Sequence, residues 1–147
     1  MEIRLSNALP ALYFIWTGLI LGVSFIATPL KFLAPHLTLP VALEVGQVTL
    51  HFFNYIEWGL IVLAILFSFA GRFSVWKWGM LVSIFLALSL QTFWLFPELD
   101  VRTELVMAGQ PRNPDNLHGI FIIIEFFKAV MVFIGGCTIR ERKSVKG

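Results

Sequence analysis

The chain has 147 residues, 58% of them hydrophobic and 14% charged, with a mean hydropathy of +0.83. Soluble domains run near 45–50% apolar and about 25% charged, so this composition excludes an ordinary soluble domain and points to a bilayer. The formal charge of +2 comes mostly from a tail holding Arg140, Arg142, Lys143 and Lys146, with no interleaved aromatic residues to stack on bases; that argues against nucleic acid as a partner and for a membrane-facing anchor.

Four stretches, at 8–33, 40–69, 75–96 and 115–136, are long enough to cross about 30 Å of hydrocarbon at 1.5 Å per residue. They predict an all-α fold: an integral membrane antiparallel four-helix bundle, forming a single transmembrane domain over residues 1–147. The first stretch exceeds the apolar run of about 7–15 residues in a signal peptide and is read as a retained span. Within it, Gly18 and Gly22 form a GxxxG pair that lets another helix come close. Pro35 and Pro40 bracket the first turn, and Gly71-Arg72 marks the second. Pro97 is expected to end the third span, opening a long connection to Asn116 that carries Glu98, Asp100, Glu104 and Asp115. Cys137, the single cysteine, fits no disulfide, zinc or redox spacing.

Positive residues stay in the cytoplasm. Arg4, Arg72, Lys77, Arg140, Arg142, Lys143 and Lys146 make seven on one side, against Lys31, Arg102 and Arg112 on the other. Both termini are therefore expected to be cytoplasmic, in what reads as a bacterial cytoplasmic (inner) membrane. Trp76 and Trp78 then mark the inner interface and Trp94 the outer one.

Three ionisable residues fall inside the apolar stretches: Glu57, Glu125 and Lys128. Each costs at least about 2.5–3.5 kcal/mol if unpaired at the centre of a membrane helix, so all three are expected to face the bundle interior. On the second span Glu44, Gln47, His51, Asn54 and Glu57 recur at spacings of three and four, which gathers them into one polar stripe. On the fourth, His118 and Glu125 are seven apart and lie on one face. Both helices run inward, so each places a histidine about 9–10 Å above a glutamate, and Gln91 falls near the histidine level. Two carboxylates against one ammonium leave one negative charge to be balanced by a proton or another cation.

The residues Trp16-x-Gly18, Phe25-x-Ala27-x-Pro29-x-x-Phe32, Leu39, Ala42 and Gly46, with Pro97 and Leu117-His118 further on, resemble the small membrane proteins grouped with transmembrane protein 205. The resemblance implies four spans and carries no settled activity. That family often has aromatic residues where this chain has His51, Asn54 and Glu57, so the polar stripe reads as a local specialisation.

The leading expectation is a small membrane protein holding a metal ion or other cation in the outer half of the bundle, for transport or as an accessory centre. His51, Glu57, His118 and Glu125 are the expected metal ligands, a set suited to a transition metal, with Asn54, Gln91 and Lys128 in support. One alternative is a haem-binding redox protein or membrane enzyme using His51 and His118 as cofactor ligands. The other is a structural subunit of a larger membrane complex. The bilayer, other membrane subunits or further copies of the chain are the expected partners, and no catalytic residue is singled out.

Overall fold

Prolines at 29 and 97 set the shape of two of the four helices. In the computed structural model, residues 2–69, 74–110 and 116–144 are described, with side chains over 8–69, 74–110 and 116–139. The Gly71-Arg72 turn, residues 111–115 and the side chains of Arg4 and the basic tail lie outside that set. Helix α1 runs as an α-helix over Glu2–Ile20, widens into a π-helix over Leu21–Ala27, and closes through Thr28–Leu30 and a 3-10 turn at Lys31–Leu33. Helix α2 spans Leu39–Phe69. Helix α3 repeats the device of α1, with an α-helix at Val75–Leu90, a π-helix at Gln91–Leu95 and a further α-helix at Phe96–Met107. Helix α4 spans Leu117–Ser144.

In both α1 and α3 the π-helical stretch ends two residues before a proline. Proline has no N–H to donate and its ring crowds the carbonyl four residues back, so the chain makes room by widening the turn before it. This corrects the expected end of the third span. Pro97 sits in the first turn of Phe96–Met107, where a missing N–H costs little, and the helix runs on to Met107. Asp100 and Arg102 thereby stand on a helix instead of in a loop.

Four helical stretches are long and apolar enough to cross a membrane: Ala8–Leu33, Leu39–Phe69, Val75–Met107 and Leu117–Ile139. Consecutive helices are antiparallel. Residues 16 and 31 of α1 meet residues 57 and 46 of α2, and residues 51 and 58 of α2 meet residues 100 and 92 of α3. Residues 91 and 96 of α3 meet 125 and 121 of α4, which returns against α1 through Ser24–Glu125. Trp16, Ile20, Ile61, Ala64, Leu81, Ile84, Leu88 and Val132 form the main core, and Leu95, Phe96 and Phe121 a smaller one nearer the end opposite the described termini. Outward faces are apolar: Phe52 is 67% exposed, Phe93 75% and Ile123 68%.

The close helix approach is not at Gly18 and Gly22, where an added Cβ meets nothing within 4 Å. It is at Gly135 in α4, where a Cβ would lie 2.5 Å from the ring of Tyr13.

Candidate functional site

Glu57, Glu125 and Lys128 are buried, at 1%, 2% and 0% exposure. Glu125 and Lys128 share a face of α4 because they are three residues apart, and α2 brings Glu57 opposite them. The Lys128 ammonium donates to Glu57 Oε2 at 2.6 Å and lies 2.8 Å from Glu125 Oε1. The remaining carboxylate oxygens are also engaged. Trp16 Nε1 donates to Glu57 Oε1 at 3.0 Å, and Ser24 Oγ donates to Glu125 Oε2 at 3.0 Å. Gln91 Nε2 donates to Glu125 Oε1 at 2.8 Å.

Every one of the four helices contributes to this cluster. Ser24, which the sequence did not single out, and Gln91, expected at the histidine level but found on Glu125, both lie on the π-helical stretches, so the widened turns that accommodate Pro29 and Pro97 also aim donors at Glu125. Gln91 is fully buried, and its Oε1 has no hydrogen-bond partner among the described residues. Beside the cluster, Trp58 Nε1 donates to Thr92 Oγ1 at 3.0 Å, and Thr92 Oγ1 lies 3.1 Å from Asn54 Oδ1. Asn54 Nδ2 is likewise buried without a described partner.

His51 and His118 stand apart from this cluster. Both line a cavity of about 170 Å³ between α1, α2, α3 and α4, at the end opposite the described termini. His51 Nε2 lies 2.9 and 3.0 Å from the two Asp100 carboxylate oxygens, and its ring packs 4.9 Å from that of Phe96. His118 lies against Phe121, one turn along α4, with rings 6.4 Å apart. Lys31, Gln47, Arg102 and Gln110 are also among the polar residues of the lining.

The expected quartet is thus divided: Glu57 and Glu125 meet through Lys128, whereas His51 turns to Asp100. Among the described residues no three His, Cys, Asp or Glu side chains are grouped to hold a metal ion. From sequence Asp100 falls in a loop, because Pro97 conceals the continuation of α3. The polar stripe on α2 does lead inward, with Gln47 and His51 at the cavity, Asn54 and Glu57 buried, and Glu44 exposed.

No protein-family model matches the chain, and no curated protein or solved structure matches it.

Proposed function

We propose that the protein is a four-span bilayer protein whose Glu57–Lys128–Glu125 cluster holds one exchangeable cation, the proton, as the centre of proton-linked transport or as an accessory proton site. The observation that carries this reading is a cluster sealed from solvent with two carboxylates against one ammonium. It is one positive charge short of neutrality, in surroundings where an unbalanced charge is costly. A proton needs no added volume, which suits donors and acceptors packed at 2.6–3.0 Å. Gln91 Oε1, without a hydrogen-bond partner among the described residues, supplies a further acceptor beside Glu125. Apolar outward faces around ionised interior residues favour a bilayer setting, and the seven-to-three basic count favours cytoplasmic termini, which puts the cavity on the outer side. Kinship with the transmembrane protein 205-like family belongs to the same proposal.

Trp16 reports on the cluster because its indole donates to Glu57. The test is a pH titration of the fluorescence difference between the purified protein and its Trp16→Phe variant. A saturable transition that disappears in both Glu57→Gln and Glu125→Gln supports a shared proton. A featureless titration, or one unchanged in Glu125→Gln, overturns it.

The second reading is a structural subunit, favoured by one observation: the cluster ties together all four helices. A polar lock of this kind predicts lost stability on substitution with no proton transition in the wild type.

A further inference from the structure

An exchangeable proton in a sealed cluster needs a way in, and the two ends of the bundle differ in what they offer. Toward the described termini, three of the helices leave the cluster through buried apolar residues: Ile61 and Ala64 on α2, Leu88 and Ile84 on α3, Val132 on α4. Those side chains offer a water no partner. Toward the cavity, α3 and α4 present the buried Phe96 and Phe121, with rings 6.2 Å apart. On α2 the same direction is polar. Asn54 lies three residues from Glu57 and His51 three from Asn54, about 4.5 Å per step along the axis, and His51 stands at the cavity wall.

Two groups on this side have hydrogen-bonding capacity left over. Asn54 is 4% exposed and Gln91 fully buried; Asn54 Nδ2, a donor, and Gln91 Oε1, an acceptor, have no partner among the described residues. Their other ends are fixed, with Asn54 Oδ1 3.1 Å from Thr92 Oγ1 and Gln91 Nε2 2.8 Å from Glu125 Oε1. A buried polar atom left unmet is costly, and water is its ordinary remedy. On α1, by contrast, the Thr28 hydroxyl is committed to the Val23 carbonyl and that of Ser24 to Glu125. At the cavity wall His51 Nε2 faces both Asp100 oxygens. A carboxylate only accepts, so it keeps the hydrogen on Nε2 and leaves Nδ1 as the nitrogen that exchanges a proton. Lys31 of α1, Arg102 of α3 and His118 of α4 share that wall.

We propose that the cluster exchanges its proton with the cavity and not with the opposite end, through His51 and water held by Asn54 and Gln91. The inference rests on the reading of the cluster as a proton site. In the inward step His51 Nδ1 takes a proton from cavity water, and the imidazolium passes one to the water at Asn54. That water gives one to a carboxylate of the cluster, so His51 returns to neutral and the cluster gains one positive charge. Asp100 is a positioning residue: it fixes the ring and balances the transient imidazolium.

The test is rapid mixing of the full chain in uncharged micelles from high to low pH, read by Trp16 fluorescence, each protein measured against its own Trp16→Phe form. Rate and final amplitude are fitted separately. Expected is a rate at least about tenfold slower in His51→Ala and in Asn54→Leu, at the wild-type amplitude. Added imidazole should restore the rate of His51→Ala and leave that of Asn54→Leu slow. Asp100→Asn should slow the transition by less. A wild-type rate in any of the three, a slow His51→Ala that imidazole does not rescue, or slowing in Thr28→Val in place of Asn54→Leu would overturn the route and leave the proton site standing. A wild type without a transition removes both. The side chains of His51 and Asp100 are 36% and 27% exposed, so their variants decide the matter where Asn54→Leu does not fold.

Discussion

The charge cluster and the cavity draw on the same kinds of side chain, carboxylates and basic groups on facing helices, and use them in opposite ways. At the cluster, three ionisable groups are at most 2% exposed and their polar atoms are engaged from four helices. At the cavity, the His51–Asp100 pair keeps side-chain exposures of 36% and 27%. Removing one member of a buried pair strands the other in low dielectric, whereas a half-exposed group falls back on solvent. The cluster is thereby tied to folding as well as to any charge it holds, whereas the cavity pair is not.

The largest expected effect follows from that contrast. Lys128→Met should destabilise the protein by about 3–5 kcal/mol, read from unfolding in mixed micelles, and adding Glu57→Gln should recover part of the loss. A loss below about 1 kcal/mol would mean the three groups are not energetically coupled. Gln91→Leu removes a hydrogen bond to a carboxylate and with it an Oε1 without a partner among the described residues, so a smaller loss of about 1–2 kcal/mol is expected in the same assay. His51→Ala should change stability by less than about 1 kcal/mol. If His51→Ala proves as costly as Lys128→Met, the two layers are one unit and the comparison breaks.

The smallest perturbation tests orientation. In a Cys137→Ser background, Leu33→Cys and Val75→Cys introduce thiols at positions 75% and 89% exposed, at opposite ends of the helices. An impermeant reagent added outside intact cells should label position 33 and spare position 75. The reverse pattern inverts the topology.

Four helices long and apolar enough to cross a membrane, and an inward-facing Glu57, Glu125 and Lys128, were legible in the sequence, because apolar runs and the cost of charge in hydrocarbon are strong local signals. The spacing also ordered Gln47, His51, Asn54 and Glu57 along one stripe. What it concealed came from long-range geometry. Spacing on α2 and α4 separately cannot show that Lys128 turns to both carboxylates while His51 turns to Asp100. Pro97 reads as a stop by every local rule, and only the π-helical turn before it lets α3 continue and carry Asp100 to His51. Likewise Ser24 looks like an ordinary small residue until the widened turn at Leu21–Ala27 places it on Glu125.

The cluster also has a consequence for biosynthesis. Glu57 and Lys128 are 71 residues apart in the chain, and ribosomes add about 5–20 residues per second, so roughly 4–14 seconds separate the emergence of the carboxylate from that of the ammonium. Trp16, whose indole donates to Glu57 in the folded protein, is made earlier and is already present throughout that interval. Arrival of the last helix supplies both the ammonium and the second carboxylate, so Glu57 meets its charged partner only once α4 has been made.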